Sequence, residues 1–161
     1  MNFDDAFLKL IGHEGGYSNR SLSADPGGAT NFGVTQAVAR ESGYAGDMRD
    51  FTLQQSKAIY RKSYWDACRC DDLPSAIRFS VFDGCVNSGV GQSIRWLQRA
   101  VGTDADGSIG PLTMAAIRLL PAMETKSRYN GFRLQFMTGL KNWPDNSRGW
   151  ANRIAKNLME A

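Results

Sequence analysis

Residues 13–36 read HEGGYSNRSLSADPGGATNFGVTQ, and the rest of the chain is organised around them. They put a carboxylic acid, Glu14, at the expected end of a helix. A turn-rich polar stretch follows with a second carboxylate, Asp25, and Thr30, and then a new helix begins. Asp25-Pro26-Gly27-Gly28 is strong turn chemistry, so residues 17–19 and 29–32 read as the two short strands of a small β-hairpin lobe. Thr35 is suited to cap a helix running from Gln36 through Ala37, Val38 and Ala39 to Gly43.

Upstream, Phe3, Phe7, Leu10 and Ile11 recur at helical spacing and form one apolar stripe on a first helix of about a dozen residues. Asp4 and Asp5 complement the N-terminal end of its dipole. At 100° per residue, Glu14 returns to within about 20° of the stripe begun at Phe3, so its carboxyl should lean toward the core. Gly15 and Gly16 are placed to stop the helix. A carboxyl among apolar side chains, near the negative end of a helix dipole, is expected to have a raised pKa, as a general acid requires. Taken alone, Glu14 also reads as a surface residue of the last helical turn, and Asp25 as a turn-forming Asp before Pro. His13 is the single histidine and has no Cys/His/Asp cluster around it at ligand spacing, so no metal and no cofactor are expected.

Downstream the pattern is helical. Thr52-Leu53-Gln54-Gln55 resembles a capping box opening a helix to Trp65, with Tyr64 and Trp65 as core or sugar-stacking aromatics. Pro74 opens the next helix, whose stripe Ile77, Val81, Phe82 and Cys85 marks the buried central one. It ends at Asn87-Ser88-Gly89. Asn87 either reaches a cleft from there or simply terminates the helix. A helix follows over residues 91–101. The loop GTDADGSIGPLT lacks the third acidic position and terminal Glu of a calcium loop and reads as a tight connector into a helix started by Pro111. Residues 123–140 form a longer helix with Tyr129, Phe132, Phe136 and Leu140. Trp143-Pro144 breaks it, and Asn146 or Ser147 caps a last helix carrying Trp150, Ile154 and Leu158. The fold class is therefore mainly α (α+β): a helical bundle around a buried central helix with a small N-terminal β-hairpin lobe. With no linker or repeat, residues 1–161 are expected to form a single domain, residues 1–70 carrying the catalytic motifs and residues 71–161 packing as helices in the same unit.

Composition narrows the function. The 161 residues suffice for one core, and 42% hydrophobic with 22% charged residues is ordinary for a globular protein. A net charge of +3 suits an anionic partner such as a cell wall, but the Lys/Arg run of a nucleic-acid footprint is lacking. The acidic start MNFDDAFLKL is unlike a secretory signal, and no apolar run approaches the roughly 20 residues that span a bilayer. Synthesis in the cytoplasm without membrane insertion is the expectation. Cys68, Cys70 and Cys85 are an odd count and read as reduced structural thiols.

At this point several separated motifs carry a resemblance. HEGGYSN followed by DPGGATNFGVTQ resembles the signature of the glycoside hydrolase family 108 muramidases, lysozyme-like enzymes common among phage endolysins. FDGCVNSGVGQSIRWLQRAVGTDADGSIGPLT is similar to the predicted peptidoglycan domain that accompanies them, and RGWANRI to their closing helix. The resemblance implies a lysozyme-like fold and hydrolysis of the β-1,4 bond between N-acetylmuramic acid and N-acetylglucosamine in bacterial peptidoglycan. Glu14 would donate the proton. Asp25 would orient a water or stabilise the oxocarbenium-like sugar, and Thr30 would position that water. Tyr17, Asn31, Phe32, Gln36 and Asn87 are the candidates for substrate binding. A phage-encoded enzyme of this kind would be a monomer released to the periplasmic cell wall through a holin. Rival readings are a lytic transglycosylase, a Cys/His peptidase joining Cys68 or Cys85 to His13, and a wall-binding module without activity.

Overall fold

The computed structural model describes residues 1–12, 16–18 and 28–160. Glu14, His13 and Asp25 lie outside the described residues. Among the described residues there are eight α-helices and one two-stranded antiparallel sheet, which is the mainly α architecture with a small hairpin expected from the sequence. The chain divides into two compact units, Phe3–Ser63 and Met1–Asn2 with Tyr64–Ala161.

In the first unit, α1 spans Phe3–Ile11 and buries Phe3, Ala6 and Phe7. It is nine residues long, shorter than the stripe suggested, because Gly12 takes φ +63° and turns the chain out of the α-helical path. Phe7 meets the ring of Tyr60 edge-on at 5.5 Å. The hairpin is β1, Thr30–Asn31, paired with β2, Val34–Thr35, in the register Thr30 opposite Thr35 and Asn31 opposite Val34. Among the described residues, Ser18 bridges Thr30 and so joins the two stretches expected as strands, while the named strands add a second pairing across Phe32-Gly33. Both turn residues have positive φ, 46° and 75°, the signature of a two-residue turn matched to strand twist. Phe32 is a costly residue at positive φ, and two side chains of α3, Leu53–Tyr60, hold the turn. Ser56 Oγ donates to the Phe32 carbonyl at 2.8 Å, and the Tyr60 hydroxyl donates to the Gly33 carbonyl at 3.0 Å. Thr35 caps α2, Gln36–Glu41, and Thr52 with Gln55 forms the reciprocal capping box of α3.

α3 leads into a π-helical segment, Arg61–Asp66. In the second unit the central helix is α4, Ser75–Ser88, with Pro74 at its N-cap. It packs against α5, Val90–Val101, and α7, Ala122–Thr138, while α6 is Pro111–Leu119 and α8 is Trp143–Met159. Pro144 does not end a helix here. It sits in the first turn of α8, where its missing N–H is not needed, so the helix begins before Asn146. At Gly84 a side chain of α7 comes hard against α4: a Cβ there would run into the Tyr129 hydroxyl, which hydrogen-bonds Ser93 at 2.6 Å.

Two features of this unit overturn or exceed the sequence reading. Cys68 and Cys85 form a disulfide, so the expectation of three reduced thiols is wrong for that pair, and Cys70 is buried outside that disulfide. The thiols are 17 residues apart in sequence, and the turn after the π-helical segment returns Cys68 to the buried stripe of α4 that carries Cys85. The second feature is a buried ionic cluster around Asp83 on α4. Its side chain is 2% exposed and that of Arg133 is fully buried, with Nη1 to Oδ2 at 2.6 Å. Arg153 donates to Oδ1 from Nε at 2.8 Å and Nη2 at 2.7 Å, and Asn157 donates to Oδ2 at 2.8 Å. Burial pushes the Asp83 pKa up, but the charge of Arg133 and the hydrogen bond and charge of Arg153 outweigh it and hold the carboxyl below its ordinary range.

Candidate active site

The hairpin carries the one predicted catalytic residue that is described, Thr30. Its backbone is fixed by exchange with Ser18, N–H to O at 2.7 and 2.8 Å. Its Oγ1 is buried and has no hydrogen-bond partner among the described residues. A buried hydroxyl without a partner costs about 1–3 kcal/mol, so such a group fits a place where a water or ligand atom is held. Side chains alternate along a strand, and Asn31 therefore faces away from Thr30. Its amide donates to the carbonyls of Met48 at 2.8 Å and Phe51 at 3.2 Å, and the side chain is buried. Asn31 thus ties the hairpin to the 48–51 loop. Phe32 serves the turn described above.

Tyr17 and Gln36 come together elsewhere in the same unit. They line a polar cavity of about 340 Å³ with Ala29, Arg40 and residues 45–49. The Gln36 N–H donates to Ala29 O at 2.7 Å, extending the hairpin ladder into α2. Its side chain lies against Gly28, where a Cβ would be 2.9 Å from Oε1. Tyr17 is 43% exposed, leaving much of its ring open to a ligand. Asn87 belongs to the other unit, where its amide donates to Asp83 O at 2.6 Å and Oδ1 at 3.2 Å; it contributes to the Asp83 cluster.

Three side chains of the cavity were missed by the sequence reading: Arg40, Asp47 and Arg49. Asp47 accepts from Arg49 Nε at 3.2 Å and Nη2 at 2.7 Å, and from the Arg49 backbone N–H at 2.8 Å. These bonds, the side-chain one first, lower the Asp47 pKa to about 2 and raise that of Arg49. Arg40 Nη1 donates to the Tyr44 carbonyl at 2.7 Å. The D-x-R spacing at 47–49 was the available clue, but in a loop nothing in sequence says which way such side chains turn.

The loop after α5 keeps Asp106 for its own geometry. Asp106 Oδ1 accepts from Gln98 Nε2 at 2.6 Å and from the Ser108 N–H at 2.8 Å, in that order lowering its pKa. Among the described residues no group of three His, Cys, Asp or Glu could hold a metal ion, and no helix is long and apolar enough to cross a membrane.

A short hairpin following a first helix, ahead of a helical unit built on one central helix, is the arrangement that the resemblance implied. A profile of the family described as Glycosyl hydrolase 108 matches residues 7–89, a span that includes the second half of α1, the hairpin and α4. The chain belongs to the glycosyl hydrolase 108 family and is by class a glycoside hydrolase. Among solved structures it is similar to Brucella abortus SagA, with 32% identity, a TM-score of 0.84, and an alignment covering 97% of this chain and 91% of that one. No curated protein matches it in sequence.

Proposed function

We propose that this glycoside hydrolase is a muramidase that cleaves the β-1,4 bond between N-acetylmuramic acid and N-acetylglucosamine in bacterial peptidoglycan. Glu14 gives its proton to the glycosidic oxygen as the bond to the anomeric carbon breaks. A water held at Thr30 adds to that carbon and yields its proton to a carboxylate. Asp25 orients the water or stabilises the positive charge developing on the sugar. The observation that supports this division of labour is the buried Thr30 hydroxyl, which has no partner among the described residues and is set within the matched stretch.

The Cys/His peptidase reading loses its nucleophiles, since Cys68 and Cys85 are joined to each other. A lytic transglycosylase would act on the same bond but close a 1,6-anhydro ring in place of adding water. Purified Glu14→Gln, compared with wild type on isolated sacculi, is expected to lose about 10²–10⁴-fold in release of reducing sugar while keeping its circular dichroism. Thr30→Ala should retain part of the activity. Near-normal release by folded Glu14→Gln would sink the proposal, and muropeptides carrying only anhydro ends would replace hydrolysis with transglycosylation.

A further inference from the structure

We propose that the cavity walled by Tyr17, Gln36, Arg40 and the 45–49 loop is a subsite for a carboxylate carried by the wall polymer, with Arg40 and Arg49 as its charge partners. The identity of the polymer rests on the muramidase reading; the chemistry of the subsite does not.

The charge balance selects the ligand class. Two guanidinium groups face the cavity against one carboxylate, Asp47, which is already taken up by Arg49. Among the described residues, Arg49 Nη1 and Arg40 Nε and Nη2 have no hydrogen-bond partner, so donors remain on both arginines. One surplus positive charge suits a monoanion. A phosphate dianion would be left under-neutralised. Guanidinium groups present planar, charge-assisted donors to carboxylates, and the amide of Gln36 and the ring of Tyr17 add a polar contact and a flat apolar face suited to a sugar.

The walls are held in place before any ligand arrives. The Tyr44 hydroxyl donates to Asp47 O at 2.7 Å, and its ring meets Phe51 edge-on at 5.0 Å. Gly46 presses against that ring so closely that a Cβ would lie 2.5 Å from the Tyr44 hydroxyl. Buried Met48 accepts the Asn31 amide through its carbonyl. The Arg40 guanidinium stacks 5.9 Å from the Tyr44 ring centre. Such prior ordering reduces the entropy lost on binding. At about 340 Å³ the cavity is at the lower end of the ligand-pocket range and accommodates one carboxylate-bearing residue.

Two sources could supply the carboxylate: the lactyl group of a peptide-free muramyl residue, or a free carboxyl on the stem peptide. Isothermal titration with the Glu14→Gln protein distinguishes them, using chitobiose, the peptide-free disaccharide of N-acetylglucosamine and N-acetylmuramic acid, and the same disaccharide bearing a tetrapeptide. At least one carboxylate ligand should bind about tenfold more tightly than chitobiose, with Arg40→Gln/Arg49→Gln removing that advantage. The ligand that loses affinity names the source. Asp47→Asn, which releases Arg49 without adding bulk, should tighten the same ligand, a gain that damage to the fold would not produce. Equal affinity for all three ligands, or an equal loss for chitobiose in the double variant, overturns the subsite. Turnover of sacculi by wild type is scored separately. If no reducing sugar appears while the carboxylate preference persists, the muramidase reading fails and the subsite stands.

Discussion

Among the described residues of Phe3–Ser63, the ion pairs of Arg49 with Asp47 and of Lys57 with Asp4 at 2.9 Å are exposed or half-exposed. In the helical unit Asp83 meets Arg133 out of water altogether. The contrast separates two uses of the same chemistry. An exposed pair is worth little to stability, so its donors are available to a ligand and its replacement is tolerated. A buried pair contributes little net energy against an apolar substitute, yet breaking one half strands a charge and is severe. The hairpin unit accordingly leaves the charged side chains of its cavity open to a ligand, while the helical unit holds its long helices in one arrangement through a polar centre.

The sharpest test of this contrast removes one half of the buried pair. Asp83→Asn should destabilise the protein by about 3–5 kcal/mol in urea denaturation, because Arg133 is left buried without its counter-charge. Asp83→Leu with Arg133→Met should recover most of that, Arg153 being 38% exposed and able to turn to water. Asp47→Asn should leave the midpoint where it is. An Asp47 effect as large as that of Asp83 would erase the distinction. The sign with pH follows from the lowered Asp83 pKa. Its contribution is full above the unfolded value near about 4 and is lost as pH falls through the lower folded value, so wild type and Asp83→Asn should converge in acid.

Gly84→Ala comes next, at about 1–3 kcal/mol, since the new methyl must displace the Tyr129 hydroxyl from between α4 and α5. Adding Tyr129→Phe should return part of the loss. Full stability of Gly84→Ala would mean that the helices around α4 are not closely seated. A smaller loss is expected in the hairpin. Gly33→Ala places a Cβ at φ +75°, 2.6 Å from the Tyr60 hydroxyl, for about 1–2 kcal/mol. Its fractional loss of hydrolysis should exceed its fractional loss of stability, because the same turn positions Thr30; parallel losses would detach the hairpin from the reaction.

Much of the architecture was legible from short-range pattern. The stripe Ile77, Val81, Phe82 and Cys85 marked the buried central helix, Thr52 with Gln55 marked a capping box, and Pro111 marked a helix start; each depends on residues a few positions apart. The hairpin was half legible. The pairing of residues 17–19 with 29–32 was legible and is met by the Ser18–Thr30 bridge, whereas the tight turn at Phe32-Gly33 was not, being tenable because Ser56 and Tyr60 hold its carbonyls from 24 and 27 residues away. The end of α1 was misplaced for a smaller reason: Gly12 takes the left-handed conformation and ends the helix at Ile11.

By itself, then, the sequence determined the class of fold, the order of helices and hairpin, and the family signature around Glu14, Asp25 and Thr30, because periodicity, caps and motifs are written in neighbouring residues. Tertiary structure alone decided that Cys68 bonds Cys85, that Asp83 gathers Arg133, Arg153 and Asn157 from 50, 70 and 74 residues away, and that Asn31 turns inward. Tertiary structure likewise put Tyr17 and Gln36 beside Arg40 and Arg49 in one cavity. The physical reason is the same in each case: a polar side chain has many possible partners along the chain, and only packing, by removing water, chooses among them.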